Sequence, residues 1–251
     1  MVHFVGAGCG APDLITVRGQ RLLSSADVII YAGSLVNPAL LEYAKQECEI
    51  HDSAKMTLEQ VISTVKEAEA AGKTTVRLHT GDPSIYGAIR EQIDLLEAAG
   101  IAYDVTPGVS SFCGAAAALG AEYTLPDVSQ TVIITRMEGR TPVPSKEEIS
   151  LLAAHQATMV VFLSTGLLEG LRERLLVGGY KEDTPAAIVY KASWPDEKRV
   201  LGTVGRLPEM ARENNITKTA LILVGNFLGN EYERSKLYDP AFTHEFREAS
   251  E

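Results

Sequence analysis

A ten-residue segment at 78–87, LHTGDPSIYG, carries the residue types of a ligand-binding loop. It follows an apolar, β-branched run and precedes a helical pattern. Gly81 and Gly87 permit backbone conformations that other residues avoid, and Pro83 fixes its own φ. Ligands of open α/β sheets bind outside the carboxyl ends of the strands. The segment therefore offers Asp82 and backbone polar groups to a small molecule, or else it is a tight turn with Asp82 as helix cap.

A second glycine loop, GAGCGA at 6–11, formally matches the dinucleotide fingerprint GxGxxG/A. Its context differs from that fingerprint, because Pro12 and Asp13 prolong the loop where a helix should begin. The second predicted strand also ends at Tyr31 without the acidic residue that would hold a ribose. A dinucleotide-dependent oxidoreductase would rest on this loop alone, so we favour a ligand-facing glycine loop of another kind.

Several common catalytic and metal-binding motifs are absent from the sequence. The chain has no Walker A sequence, no HExxH and no GxSxG. Its five histidines lack metal-ligand spacing, so we expect no metal site. We expect His79 to be a hydrogen-bonded histidine at a strand end, although its place beside the 81–87 loop leaves a functional role open. Cys113 is expected to be a small core residue rather than a nucleophile.

Composition narrows the class of protein further. The chain has 251 residues and a net charge of −10, which disfavours nucleic-acid binding because that needs clustered lysine and arginine. No apolar run reaches the roughly 18 residues that a membrane span requires. Three widely spaced cysteines argue against a disulfide framework. We expect no secretory signal, no membrane or nucleic-acid partner, and a cytoplasmic location.

Strand-like and helix-like segments alternate along the first half, which is typical of a parallel sheet with crossover helices. The clearest helix, at 57–71, has Thr57 and Gln60 as a capping box and Gly72 as its stop. We predict strands at 2–5, 28–31, 74–78 and 102–105, and helices at 16–25, 38–45, 57–71, 86–99 and 114–121.

The second half is richer in β-structure. We predict strands at 131–135, 158–162, 186–190, 199–204 and 220–224, with helices at 146–154, 166–177 and 207–213. The sequence thus predicts two α/β domains, at 1–115 and 131–228, joined by a linker at 116–130. The charged, nonperiodic tail at 229–251 is expected to be partly disordered.

Two long loops combine cations with stiff or aromatic residues. TRMEGRTPVP at 135–144 follows a predicted strand, and YKASWPDEK at 190–198 holds the one tryptophan. Arginine offers a planar fork that matches carboxylates, and an aromatic ring gives a flat surface. Either loop could simply be solvated, but together they would suit a planar ligand with several carboxylates.

Taken together, these segments resemble the tetrapyrrole (corrin/porphyrin) methyltransferases over almost the whole chain, from 5 to 225. The motifs that carry the resemblance are the first glycine loop, the GDPxxYG loop at 81–87 and PGVSS at 107–111. The loops at 135–144 and 190–198 are similar to the branch that methylates carbon 11 of precorrin-4, or of its cobalt complex, in cobalamin synthesis. Members acting on another precorrin carbon or on uroporphyrinogen remain an alternative, as does a non-catalytic S-adenosylmethionine-binding protein.

The resemblance implies two α/β domains with the cofactor cleft between them, S-adenosylmethionine as cofactor and S-adenosylhomocysteine as its product. It implies a tetrapyrrole substrate and a homodimer. By position, the residues implied for the cofactor are Cys9, Gly81, Asp82, Ile85, Tyr86, Ser110, Ser111, Leu163, Ala192, Thr219 and Ala220. The cations implied for substrate carboxylates are Arg18, Arg136, Arg140 and Lys191.

The chain departs from the family pattern in its first loop, where the family usually reads GAGPGDP. Cys9 occupies a backbone-contact position, so its change should matter little. Ala11 removes a carboxylate that would face the substrate, so we assign no catalytic role there. Methyl transfer from a sulfonium needs chiefly the positioning of two reactants, and we expect no single indispensable catalytic side chain.

Overall fold

The computed structural model describes residues 1–249, which form two compact units. The first contains Met1–Gly114 together with Ala192–Asp196, and the second contains the rest of the described chain. Each unit has a five-stranded sheet flanked by helices, which confirms the predicted α/β class. The short segment at 192–196 falls within the second predicted domain but packs with the first unit.

The first sheet is wholly parallel, with strand order β3-β2-β4-β1-β5. Its strands are β1 (Val2–Gly6), β2 (Val28–Tyr31), β3 (Glu49–Asp52), β4 (Thr75–His79) and β5 (Tyr103–Thr106). The helices of this half are α1 (Val17–Ser25), α2 (Leu58–Ala70), α3 (Arg90–Ala98) and α4 (Ser111–Leu119). A 3₁₀ helix, Pro38–Tyr43, stands where we predicted a short helix at 38–45.

Both faces of this sheet are covered, as expected of a parallel sheet. On one face Phe4 and Ile30 pack against α2 and α3, with Leu96 fully enclosed. On the other face Val5 and Leu78 pack with Leu23 of α1. The crossover helices therefore lie on opposite sides of the same strands.

The capping box predicted for the helix at 57–71 is confirmed. The Thr57 hydroxyl accepts a hydrogen bond from the Gln60 amide, and the Gln60 side-chain oxygen accepts one from the Thr57 amide at 2.8 Å. After α2 the chain turns at Gly72, whose φ is +68°. The prediction agrees with the structure here because a capping box depends only on hydrogen bonds between residues close in sequence.

The helix predicted at 86–99 is wrong at its start, because α3 begins at Arg90. Tyr86 and Ala88 have φ of 55° and 49°, a left-handed backbone that an α-helix cannot contain. The strand β3 was not predicted. Three of its four residues, Glu-Ile-His-Asp, are polar, and the strand lies at the edge of the sheet, so it lacks an apolar pattern.

The second sheet is mixed, with strand order β6-β7-β10-β8-β9. Its strands are β6 (Val132–Arg136), β7 (Thr158–Phe162), β8 (Pro185–Tyr190), β9 (Lys198–Thr203) and β10 (Ala220–Val224). β6 and β7 are parallel, and the other pairs are antiparallel. The helices α5 (Ile149–Ala153), α6 (Leu168–Val177) and α7 (Leu207–Glu213) enclose one core with β7 and β10.

Most other boundaries differ from prediction by one or two residues. α5 is shorter than the helix predicted at 146–154, because a 3₁₀ turn, Ser145–Glu147, precedes it. α4 begins at Ser111, earlier than the predicted 114. Within residues 1–249, no helix is both long and apolar enough to cross a membrane.

Candidate functional site

The two glycine loops predicted from sequence lie against each other at one edge of the first sheet. The Gly8 amide donates to the Gly81 carbonyl at 3.3 Å, and the Gly81 amide donates to the Gly8 carbonyl at 3.0 Å. The Ala7 amide donates to the His79 carbonyl at 2.7 Å. Adjacent parallel strands β1 and β4 thus continue their pairing into the loops that follow them.

The loop after β5 joins the same cluster. The Gly108 amide donates to Asp82 Oδ2 at 2.9 Å. A Cβ at Gly108 would overlap the Gly81 carbonyl oxygen and lie 2.7 Å from the Cα of Gly6. Three loops, after β1, β4 and β5, therefore meet at backbone contact, and only glycine fits where they meet.

The cluster also sits where the sheet reverses its winding direction. The connection after β1 leads to α1, whose Leu23 belongs to one core face. The connection after β4 leads to α3, whose Leu96 belongs to the opposite face. Such a switch point opens a crevice at the carboxyl ends of the strands, where α/β proteins bind ligands.

Asp82 is a structural bridge between two of these loops. Its Oδ1 accepts from the Ser84 amide at 2.8 Å and from the Ser84 hydroxyl, while Oδ2 accepts from Gly108. Partial burial raises the pKa of this carboxyl, but these hydrogen bonds outweigh burial and leave the pKa below its ordinary value. Asp82 is therefore ionised at neutral pH, with both oxygens engaged inside the protein.

A segment remote in sequence completes the first glycine loop. The Ser193 hydroxyl accepts from the Ala11 amide at 2.9 Å and lies 3.4 Å from Cys9 Sγ. The Asn37 side-chain amide donates to the Gly10 carbonyl at 3.0 Å. Sequence reasoning missed Ser193 and Asn37. Asn37 precedes Pro38, which signals a turn, but nothing in the sequence links either residue to the loop.

The cysteines correct one expectation. Cys9 is buried, and a Cβ at Gly114 would lie 2.8 Å from its sulfur, so it packs tightly below the loop. Cys113 is exposed, so the prediction of a core residue is wrong. It lies on α4, where the buried positions are the next two residues, Gly114 and Ala115. Cys9, Cys48 and Cys113 are all free thiols.

Several of the residues predicted to bind the cofactor or the substrate have a strained backbone. Among the described residues, nine that are not glycine have positive φ, and Tyr86, Leu163, Lys191 and Thr219 are four of them. Leu163, with φ of 53°, is also 62% exposed, and Tyr86 is 46% exposed. Strained, exposed, large side chains gain nothing from core packing, and such residues cluster at ligand sites.

The second unit gathers its own predicted residues at one edge of its sheet. Leu163 follows β7, Lys191 follows β8, and Thr219 precedes β10. Because β10 is antiparallel to both other strands, these three positions lie at the same end of the sheet. The Lys191 amide donates to the Thr219 carbonyl at 3.0 Å, and Ala220 is the buried first residue of β10.

The cations predicted for substrate carboxylates differ in their hydrogen bonding. Arg136 donates to the carbonyls of Met137 and Thr141, each at 3.2 Å, and of Pro142 at 2.6 Å. Its guanidinium therefore holds the loop at 137–142 in shape. Arg18 and Arg140 are exposed and make no ion pair with a described residue. These two have donors available for an anionic ligand.

His79 does not match the expected hydrogen-bonded histidine. It is 3% exposed, its ring stacks on Phe4, and its Nε2 has no hydrogen-bond partner among the described residues. Burial, together with the guanidinium of Arg77 on the same strand, lowers the pKa of His79 to about 3. The ring is consequently neutral throughout the physiological range.

This burial predicts an acid-dependent loss of stability. The unfolded chain protonates His79 near pH 6.5, whereas the folded protein does so only near pH 3, so the contribution of His79 is complete above pH 6.5 and declines below it. Between pH 7 and pH 5 the wild type should lose about 2 kcal/mol more than His79→Gln. Urea unfolding of both proteins at the two pH values measures the difference, and equal losses would contradict it.

Comparison with known proteins shows what this geometry is similar to. The family model for tetrapyrrole (corrin/porphyrin) methylases matches residues 1–208. A cobalt-precorrin-4 C(11)-methyltransferase of Methanocaldococcus jannaschii is 55% identical over 249 residues, covering 99% of this chain and 96% of the relative. The similarity therefore includes both units and every loop described above.

Solved structures show the same similarity. The X-ray structure of a cobalt-precorrin-4 methyltransferase has a TM-score of 0.89 and 48% identity, covering 91% of this chain and 96% of that chain. A uroporphyrin-III C-methyltransferase from Thermus thermophilus, complexed with S-adenosylhomocysteine, has a TM-score of 0.74 and 26% identity. It matches 91% of this chain and 93% of its own.

Proposed function

Because this chain belongs to the tetrapyrrole (corrin/porphyrin) methylase family, we propose that it is a methyltransferase acting on carbon 11 of precorrin-4, or of its cobalt complex, in cobalamin synthesis. The observation that carries the proposal is the 55% identity, over 99% of the chain, to a relative named for this reaction. The loops at 135–144 and 190–198, which pointed to this branch from sequence, support the same carbon position.

The methyl donor that we propose is S-adenosylmethionine, supported by the family and by the relative solved with S-adenosylhomocysteine. The residues fit such a ligand, because three glycine-containing loops bring backbone polar groups to the crevice at the switch point. When bound, the cofactor supplies an activated methyl group on a sulfonium. In the first unit the proposed contacts are Cys9, Gly81, Asp82, Ile85, Tyr86, Ser110, Ser111 and Ala192.

In this proposal the protein acts by holding and orienting. Asp82 fixes the loop after β4 to the loop after β5, so the backbone groups between them keep one arrangement. Correct orientation of two reactants can lower a barrier by roughly 7–11 kcal/mol, whereas a general base adds about 10²–10⁴-fold. We therefore assign positioning roles to the loops and no general base. The proposed contacts of Leu163, Thr219 and Ala220 come from the second unit.

The substrate carboxylates are proposed to meet cationic side chains. Arg18 and Arg140 are exposed with unoccupied guanidinium donors, and Lys191 follows the strand beside Thr219. Arg136 is a further proposed contact of a substrate carboxylate, and its bonds to three carbonyls also shape the loop that carries Arg140. A bidentate arginine suits a carboxylate better than a point charge does.

Arg140→Ala should raise the KM for the tetrapyrrole about 10- to 100-fold, because a charge-assisted hydrogen bond to a carboxylate contributes roughly 1.5–3 kcal/mol. The affinity for S-adenosylhomocysteine should stay at the wild-type value. Steady-state kinetics and calorimetric titration measure the two quantities. Arg206→Ala, which removes an exposed arginine paired with Glu213, is the matched control. Loss of cofactor affinity in Arg140→Ala would indicate that Arg140 contacts the cofactor and not the tetrapyrrole.

Binding experiments separate this proposal from its rivals. Calorimetric titration should show S-adenosylhomocysteine binding and no NADH binding. NADH binding without S-adenosylhomocysteine binding would instead support an oxidoreductase. Cofactor binding without methyl transfer to precorrin-4, its cobalt complex or uroporphyrinogen would support a non-catalytic S-adenosylmethionine-binding protein.

We also propose the homodimer that the family resemblance implies, and the cytoplasmic location that was expected from the sequence. Light scattering after size-exclusion chromatography measures the first directly. A mass of twice the 27.1 kDa chain supports the dimer, and a mass of one chain contradicts it.

A further inference from the structure

A buried arginine lies on the strand that leads into the GDPxxYG loop. Arg77 is 7% exposed, and no carboxylate among residues 1–249 is within ion-pair distance of it. Its hydrogen bonds go to uncharged oxygens, Gln92 Oε1 at 3.1 Å and the carbonyls of Ile30 at 3.0 Å and Leu78 at 3.5 Å. Burying a charge without an ionic partner costs free energy, so an apolar side chain would suit this core better.

The Arg77 guanidinium determines how Gln92 is oriented. A guanidinium only donates hydrogen bonds, so the Gln92 side chain must turn its oxygen toward Arg77. Its amide nitrogen then faces the other way and donates to the Ala88 carbonyl at 2.9 Å. Arg77, Gln92 and Ala88 thus form a hydrogen-bonded chain from the middle of the sheet to the end of the loop.

The segment at the end of this hydrogen-bonded chain is strained and tightly folded. Tyr86 and Ala88 both have positive φ, a conformation that is costly for residues with a Cβ. Gly87 lies against the backbone of Pro83, where a Cβ would be 2.9 Å from the carbonyl carbon. α3 begins directly afterwards, and its cap residue Ile89 makes no side-chain capping bond. Strain of this kind persists only where surrounding contacts hold the segment in one conformation.

We propose that Arg77 and Gln92 are positioning residues that hold the Tyr86–Gly87–Ala88 segment in its strained conformation for cofactor binding. The inference rests on the proposed function, because Ile85 and Tyr86 are proposed cofactor contacts. Neither Arg77 nor Gln92 touches the cofactor in this scheme. They act through the hydrogen bond to the Ala88 carbonyl, which fixes the position of the end of the loop.

The variant Gln92→Glu distinguishes a positioning role of Gln92 from a role in core packing. A glutamate has the same size and still accepts from Arg77, but its carboxylate cannot donate to the Ala88 carbonyl. Amide hydrogen exchange of the ligand-free protein should become at least about 3-fold faster at residues 86–89, with the core unchanged. The Kd for S-adenosylhomocysteine should rise about 3- to 10-fold, the usual effect of one lost hydrogen bond. The thermal midpoint should not fall, because Arg77 gains an ionic partner.

The matched control is Gln60→Glu, since Gln60 uses only its oxygen, as an acceptor from the Thr57 amide. Its exchange pattern and Kd should equal those of the wild type. If Gln92→Glu binds and exchanges like the wild type, the inference is overturned. If exchange rises throughout the core together with a fall in thermal midpoint, Gln92 has only a packing role, which also overturns it. If the wild type fails to bind S-adenosylhomocysteine, the proposed function is wrong. The exchange rates at residues 86–89 would still show whether Gln92 holds this segment in place.

Discussion

Replacing Gly108 with alanine is expected to raise the Kd for S-adenosylhomocysteine about 10- to 100-fold. The new Cβ would overlap the Gly81 carbonyl oxygen and lie 2.7 Å from the Gly6 Cα, so the three loops can no longer meet as they do. Overpacking of this kind costs about 1–3 kcal/mol, and here the cost is relieved by moving the loops that form the site. Calorimetric titration measures the affinity, and a thermal melt measures stability.

Gly170→Ala is the matched control for this substitution. Gly170 lies in α6, and its added Cβ would meet the Met137 methyl at an ordinary 3.5 Å. The control should bind the cofactor product as tightly as the wild type does. Wild-type affinity in Gly108→Ala would show that contact among the three loops is not what forms the binding site.

Asp82→Ala is expected to weaken S-adenosylhomocysteine binding about 10- to 100-fold. The substitution leaves the Gly108 amide and both Ser84 donors without their acceptor. Hydrogen bonds to a charged acceptor contribute roughly 1.5–3 kcal/mol, and these connect the loop after β4 to the loop after β5. Asp82→Asn, which keeps one accepting oxygen, should show a smaller loss. Titration of the three proteins at pH 7 gives the order directly.

Asp94→Ala serves as the control, because Asp94 makes an exposed ion pair with Arg90 on α3. Exposed pairs contribute little, so its Kd should match that of the wild type. The pKa of Asp82 lies below its ordinary value, so the wild-type affinity should also not change between pH 8 and pH 5 on account of this group. An unchanged Kd in Asp82→Ala would reject the bridging role.

The parts of the fold that were predicted are those set by local patterns. The helix at 57–71 carries its own apolar periodicity, capping box and stop, and each of these is present in α2. The buried strands β2, β7 and β10 have the predicted bounds because their apolar runs are short and clearly delimited. The meeting of the glycine loops follows from the parallel sheet, which brings the carboxyl ends of its strands to one edge.

The parts that were missed depend on contacts between distant residues. Nothing near Ser193 or Asn37 in sequence shows that they bind the loop at 6–11. Arg136 was predicted as a cation for substrate carboxylates, and its bonds to carbonyls of its own loop, which only the folded backbone brings within reach, were not anticipated. The late start of α3 was also missed, because the positive φ of Tyr86 and Ala88 is not signalled by their residue types.

The central claim, methylation at carbon 11, is tested most directly with S-adenosylmethionine carrying a ¹³C-labelled methyl group. The wild-type protein would be incubated with enzymatically generated precorrin-4, and separately with its cobalt complex. The products would be examined by mass spectrometry and ¹³C NMR. We predict one added methyl group, with its label at carbon 11, and the faster of the two substrates identifies the natural form. Label at another carbon, or no transfer to either substrate while S-adenosylhomocysteine still binds, would contradict the assignment.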